Sequence, residues 1–404
     1  MTLASSSLVN VRAIKEATFG VTPVSGNPTN LRVTSESLSY DLSKKASDEI
    51  KSSRTVSSMI SVGATVTGNL AQEVHYAGIE PFMESALQST FTEFGTDGVG
   101  AATSTTSISA TEITAASATS GANIFTALKK GQWFRITSAG ANNGKILRVS
   151  TTTAPTTTVI TLDTNTPGAV SSSESIQIQA ARLTHGTTQT SWTIERENSD
   201  IGVFMAFKGC TPSKMSLKVA SGSLSTVSFD FMGQSALEGT ATMLPGTPVA
   251  APTYDIHSGV SGATNAIWLD GAPVSGTYVK SVSLDYDNAL RSLDAIGTLG
   301  SVAIGSGTIV AKATVEVYFA DKDLFTKFRQ NTNTSLIFAT TDSSGNGYIV
   351  TLPVACIESW KSNAGGKDQD QMISMSLYAL SDDSNADATL RKAIFIDRIG
   401  AAVV

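Results

Sequence analysis

The sequence predicts a mainly β protein. It reads as two tandem copies of one sandwich- or barrel-like unit, each with a short flanking helix, and a small β-barrel inserted into the first copy. Three observations lead there. Ser, Thr, Gly and Val are abundant and helix-like periodicity is scarce, which favours strands. The stretch from Thr193 to Gly233 is echoed from Ala339 to Ala379: each has two apolar, alternating segments around a turn, Ser221-Gly222-Ser223 in one and Gly365-Gly366-Lys367 in the other. Alternation with a turn between reads as a hairpin with one buried face. Finally, residues 91–184 have no counterpart in the second half, so they are an insertion.

The echo extends along the chain. Cys210 and Cys356 fall in register, and so do Ser228-Phe229-Asp230-Phe231 and Ser374-Met375-Ser376-Leu377. Upstream, Ser35–Asp41 resembles Ser281–Asp287, and Ala64-Thr65-Val66 resembles Ala313-Thr314-Val315. A helix is predicted after each. The first is Glu80–Leu87, with Pro81 in its first turn, and the second is Asp321–Phe328, with Asp321 as N-cap. Phe82, Met83 and Ala86 in one, and Leu324, Phe325 and Phe328 in the other, form a stripe that packs on a sheet. Similarities in a fixed order point to duplication. Cysteines at equivalent positions of two copies do not meet, so they read as small buried residues without a disulfide.

Residues 1–30 read as an arm leading into a strand, punctuated by Pro23, Gly26 and Pro28. Residues 41–60 form a long charged connection carrying Lys44, Lys45, Asp48, Glu49, Lys51 and Arg54; such a segment is a solvated loop or a contact loop. Its counterpart, residues 288–307, is Gly-rich and more apolar. Five strands are expected in the insert: Phe125–Leu128, Trp133–Thr137, Lys145–Ser150, Thr157–Leu162 and Ser175–Ala180, with a turn at Asn142-Asn143-Gly144. Residues 237–256 are a Pro/Gly linker, and residues 382–404 end as a closing strand or an arm. The division is therefore 1–90 with 185–240 as the first unit, 91–184 as the insert, and 241–404 as linker and second unit.

Composition excludes several functions. Charged residues are 15%, against roughly 25% in ordinary domains. A net charge of −6 argues against a nucleic-acid reader with a basic stripe. No apolar run is long enough to span a membrane, and the N-terminus lacks the pattern of a secretory signal. His75, His185 and His257 stand alone, so no metal or cofactor site is expected. Gly140–Ile146 imitates a phosphate loop but is one residue short and lies between strands, not strand and helix. Glu195, Glu197 and Asp200 could supply a carboxylate pair for glycoside chemistry, but no aromatic platform accompanies them, and they read as a solvated strand end. No catalytic residue is assigned.

Glu16-Ala17-Thr18-Phe19-Gly20-Val21-Thr22-Pro23 resembles the opening of tail tube proteins, or major tail proteins, of long-tailed non-contractile bacteriophages. Phe207-Lys208-Gly209-Cys210, the strand ending Phe231-Met232-Gly233, and Gly366–Met372 are similar to the same family; Gly131-Gln132-Trp133 and Asn142-Asn143-Gly144 resemble small β domains such proteins carry. The resemblance implies tail-tube-like β-sandwich units whose sheets join between subunits into a ring, with rings stacked into a hollow tube for DNA. It implies no catalysis, a place in the virion tail after synthesis in the host cytoplasm, and no membrane. The partners it implies are further copies of the chain, the tape measure protein and DNA in the lumen, and tail tip and terminator proteins. Two units per chain imply a ring of three chains, pseudo-hexameric; six chains is the alternative. Residues 41–60 would then bridge rings, and Glu73, Asp230 and Glu316 are acidic candidates for the lumen, where an excess of Lys and Arg would hold DNA phosphates. A capsid decoration or fibre protein is the competing reading; a fibre needs a repeat absent here, and a decoration protein needs no duplicated unit.

Overall fold

The computed structural model describes residues 3–95, 100, 102–116, 124–164, 168–259, 267–269, 271–273, 278–318, 323–363, 366–367 and 370–400. The chain starts with β1 (Val9–Lys15), β2 (Thr29–Asn30), β3 (Ser35–Glu36), β4 (Ser39–Ala46), β5 (Met59–Glu73), α1 (Glu80–Leu87) and β6 (Thr92–Glu93). A separate sheet follows, from β7 (Thr103–Ile108), β8 (Glu112–Ala115), β9 (Trp133–Ser138), β10 (Ile146–Arg148), β11 (Val159–Thr161) and β12 (Ser175–Gln179), with α2 (Ile124–Ala127) between β8 and β9. Next come β13 (Ala181–Thr184), β14 (Trp192–Asn198), β15 (Val203–Ala220), β16 (Thr226–Gly233) and β17 (Ser235–Gly239). The remainder is β18 (Ile267–Leu269), β19 (Ala272–Pro273), β20 (Val279–Asp287), β21 (Arg291–Leu293), β22 (Ala303–Gly305), β23 (Val310–Tyr318), α3 (Asp323–Gln330), β24 (Thr334–Thr341), β25 (Gly347–Asn363), β26 (Met372–Leu380) and β27 (Phe395–Ile399). The protein is mainly β, its ladders are antiparallel, and neither large sheet is closed.

One pairing order occurs twice. In the first half β4 pairs β5, β5 pairs β16, β16 pairs β15 and β15 pairs β14. In the second, β20 pairs β23, β23 pairs β26, β26 pairs β25 and β25 pairs β24. The reason lies in alternation: Val227, Phe229 and Phe231 on β16, and Ile373, Met375 and Leu377 on β26, all point into one shared core. The helix α1 begins and ends where Pro81 and the apolar stripe place it, with Phe82, Met83 and Ala86 buried. Gln88 caps it in the left-handed region, at φ +53°. The second helix starts at Asp323, and the expected cap Asp321 lies outside the described residues.

The two cysteines are not equivalent. Opposite β16, the strand β15 skips a residue between Pro212 and Lys214; opposite β26, β25 skips one between Ile357 and Ser359. The bulges align Cys210 with Ala355, not with Cys356. Cys210 is therefore buried, and its thiol is pushed well up by burial and then by Glu16 and Glu36. Cys356 is half-exposed, with Sγ 3.0 Å from Asn331 Oδ1. Likewise the β5 residue matching Ala313 is Gly68: Phe231 lies opposite Gly68 and Leu377 opposite Ala313. The match of Ala64 to Ala313 was four residues out.

Other expectations need correction. Residues 1–30 already contain β1, which runs along β14. Phe125–Leu128 is not a strand: α2 occupies Ile124–Ala127, and Phe125 and Leu128, three apart, both enter the insert's core. The insert holds two strands the sequence reading missed, β7 and β8. Its sheet runs β10-β9-β12-β7-β8-β11 and is open rather than a barrel; β10 and β11 approach only at a bridge, Val149 to Leu162. Residues 41–60 are not simply a loop. β4 and β5 stay paired out to Ala46 and Met59, forming a two-stranded arm that carries the connection away from the core. Of the C-terminal alternatives, a closing strand is found: β27 pairs both β13 and β25.

Candidate functional site

The strand ladders assemble into a single ribbon in the order β4-β5-β16-β15-β20-β23-β26-β25. Its middle joint is β15 with β20, from Lys214 opposite Asp287 to Ala220 opposite Ser281. That joint fuses the two halves. At the ribbon's ends, the outer edge of β4 and the outer edge of β25 beyond Cys356 carry no ladder among the described residues.

One face of the ribbon packs on the core; the other is open and rich in Ser and Thr. Glu73, Asp230 and Glu316 all lie on that open face, at separate places along the ribbon. Glu73 lies opposite Thr226. Asp230 accepts from Asn69 Nδ2 at 2.6 Å, and Glu316 accepts from Ser281 Oγ at 2.9 Å. Two lysines on this face meet carboxylates: Lys214 Nζ is 3.0 Å from Asp287 on the adjacent strand β20, and Lys312 Nζ of β23 reaches across β26 to Glu358 of β25 at 2.8 Å. The hydrogen bond and charge of Asp287 hold the Lys214 ammonium pKa above its usual value. Lys214 and Lys312, held in this way, offer little to a phosphate backbone, while Lys218 and Lys361 on the same face are exposed.

The arm carries the other candidates. Lys44 and Lys45 are on β4, opposite Ser61 and Ile60, while Asp48, Glu49, Lys51 and Arg54 lie in the tip. All six are exposed, and Lys51 pairs with Glu49 at 3.6 Å. Ile50, Val56, Met59, Ile60 and Val62 are exposed beside them. The matching arm of the second half, β21 with β22, exposes Leu293, Ile296, Leu299 and Val302. Two arms with apolar tips have no folding reason to be exposed, and such patches mark contact surfaces.

The motifs that carried the resemblance meet in space. Glu16 accepts from the backbone N–H of Gly20 and Gly209, and from the hydroxyls of Ser191 and Thr193. Gly209, at φ +68°, sits at the irregularity between β14 and β15, and a Cβ there would stand 3.0 Å from the Phe19 ring. Glu195, expected to be solvated, is fully buried instead. It accepts from Thr242 Oγ1 at 2.8 Å and the Met243 N–H at 2.7 Å, tying the linker to β14.

Second-half and insert residues are locked by ions. Arg182 of β13 clasps Asp397 of β27, both contacts at 2.7 Å, and the Trp133 N–H donates to the same carboxylate. A cavity of about 480 Å³ lies beside them, lined by Arg148, Arg182, Thr334, Thr351 and Phe395. Its guanidinium groups are already engaged, Arg182 by Asp397 and Arg148 by Asp163. Among the described residues there is no group of three or more His, Cys, Asp and Glu able to hold a metal. No helix among them is long and apolar enough to cross a membrane.

No curated protein matches the chain. The family model of phage tail tube proteins matches residues 6–379, which takes in both halves of the ribbon and the insert. That family is structural and non-enzymatic, a component of the virion tail that self-assembles. The chain belongs to the phage tail tube protein family.

Proposed function

We propose that three copies of this chain close into one ring of a tail tube, that rings stack into a hollow conduit, and that DNA passes through it into the host. The observation that carries this is the ribbon with two open edges and a finished joint between its halves. A long open edge is a liability that ring closure removes. Each half of the ribbon acts as one tail-tube-like unit, so three chains give six units and pseudo-sixfold symmetry. Six chains would double the strand number and widen the barrel, since diameter grows with strand count.

In this reading the Ser/Thr-rich face, with Glu73, Asp230 and Glu316, lines the lumen, where DNA and the tape measure protein would lie. The arm at residues 41–60 reaches the next ring, with Lys44, Lys45, Asp48, Glu49, Lys51 and Arg54 at the contact. The insert, within 91–184, stands on the outer wall, between a first unit at 1–90 and 185–240 and a second at 241–404. Tail tip and terminator proteins would meet the end rings of a long-tailed, non-contractile phage. Electron microscopy of the purified protein at high concentration tests the reading: rings or tubes are expected, and monomers at every concentration would contradict it.

A further inference from the structure

The joint inside the chain also says what a joint between chains would look like. The bulges match Lys214 to Ser359 and Met215 to Trp360. The ladders of β3, β4 and β20 match Leu38 to Leu284, Tyr40 to Tyr286 and Leu42 to Asn288. At the internal joint Met215 lies opposite Tyr286, and both are fully buried. Their counterparts Trp360 and Tyr40, at the two open edges, are only partly buried. Carrying the internal register across to a second copy sets Trp360 opposite Tyr40, Ser359 opposite Asp41 and Lys361 opposite Ser39.

The chemistry at the two joints differs. Inside the chain the sheet joint is apolar, with Met215 on Tyr286 and Leu217 on Leu284, and only its end beside α1 is sealed by polar contacts: Asn288 Nδ2 donates to the Ala86 carbonyl at 2.6 Å, and Gln88 Nε2 to Ser306 Oγ at 2.7 Å. At the open edge, Leu42 stands where Asn288 stands, and it is 41% exposed. Facing the other edge is α3, whose Phe325 is 43% exposed and lies 5.7 Å from the Trp360 ring and 6.4 Å from Phe328. One edge thus bears a half-covered aromatic shelf and the other an apolar pair able to cover it. Both continue the sheet edge where backbone groups lack partners.

We infer that the two seams of the ring differ where the helix meets the sheet edge: polar contacts close that end of the joint within each chain, and aromatic ones close it between chains, where Tyr40 and Leu42 of one copy pack on Trp360, Phe325 and Phe328 of the next. This rests on the tube reading above. The contact is head-to-tail, so it closes a ring rather than a twofold dimer. It also gives the ring its period: a first-half edge meets a second-half edge of another copy, and a like edge offers no shelf.

Cross-linking tests it. Tyr40→Cys with Trp360→Cys, in a Cys356→Ser background and treated with a short bis-maleimide, should give a covalent ladder ending at three chains. Either cysteine alone should stay a single chain. Tubes that are visible by microscopy but remain uncross-linked would overturn the seam and leave the tube reading standing; absence of rings from the unaltered protein would overturn the tube reading. Separately, Leu42→Asp and Phe325→Asp should each reduce ring formation at least tenfold, while circular dichroism and a cooperative melting transition show that the single chain still folds. Normal rings from either folded variant would contradict the seam.

Discussion

The Gly209 N–H donates to Glu16 Oε1 at 2.9 Å, joining the N-terminal segment to the bend of the longest strand. The other oxygen, Oε2, takes the Ser191 hydroxyl at 2.6 Å. A buried carboxylate with every donor aimed at it holds a backbone turn that a neutral side chain would leave unsatisfied. Glu16→Ala should therefore cost about 3 kcal/mol, with Glu16→Gln costing less, since several donors lose their acceptor together. Urea unfolding checks this: both midpoints should fall, and an unchanged midpoint for Glu16→Ala would count against the latch.

Acid should weaken the fold through buried histidines. His257 is fully buried, with Nδ1 3.2 Å from Thr340 Oγ1, and burial pushes its pKa from 6.5 down to about 4. Burial and then Lys392 push His185 to about 4 as well, and burial lowers His75. Folded, these groups bind fewer protons than when unfolded. Their stabilisation is complete above pH 6.5 and is lost as pH falls toward 4, by about 3 kcal/mol for His257. Melting curves recorded between neutral and acid pH should show the loss, and His257→Gln should lose less than the unaltered chain. Equal losses would remove His257 from the account.

The arm should matter to stacking and not to folding. Replacing residues 45–60 with an Asn-Gly turn keeps the inner ladder of β4 and β5 and, Ser47 apart, removes exposed chain. The expected product is a folded protein that forms rings but not tubes. Long tubes from this variant would rule out the arm as the contact between rings.

The insert should tolerate removal only within limits set by β13. Replacing residues 95–179 with a Gly/Ser linker should leave rings intact but lower the melting temperature, because it takes the Trp133 N–H from Asp397 and uncovers Trp268, Ile337 and Ile349. The wider cut, 91–184, takes away Arg182 and leaves the Asp397 carboxylate buried without its partner, at about 3–5 kcal/mol. Size-exclusion chromatography of the two deletions should find assembly in the first and aggregation or unfolding in the second.

Charge on the open face of the ribbon should control DNA retention. A Glu73→Lys, Asp230→Lys, Glu316→Lys variant should assemble, because all three side chains lie off the core face. Its tubes should bind DNA with a steep salt dependence, while unaltered tubes should not. Equal DNA binding by both would remove this face from the lumen.

Much of the fold was legible because it rests on local chemistry. Pro81 and the stripe of Phe82, Met83 and Ala86 mark α1 to the residue, and Asn142-Asn143-Gly144 marks the turn between β9 and β10. The alternation in β16 and β26 tells which face is buried. Alternation is silent on the length of a connection, however: the two bulges coincide, but eight residues separate the last pair of β25 and β26 against seven for β15 and β16, and that one residue is what puts Cys210 and Cys356 out of register. It is equally silent on long-range pairing. Nothing near Phe395–Ile399 announces that this strand closes on β13 and β25, and nothing near Glu195 announces that Thr242 and Met243 will cover it. Strand parity gave the face on which Glu73, Asp230 and Glu316 lie, whereas the open edges follow only from the pairing of β15 with β20.

The number of chains in one ring distinguishes a ring of three two-unit chains from a ring of six. Cryo-electron microscopy of assembled tubes should resolve three chains per ring, with insert domains at three positions around the wall and each ribbon running from β4 to β25 of one copy. Six chains per ring, with strict sixfold symmetry out to the insert, would contradict it.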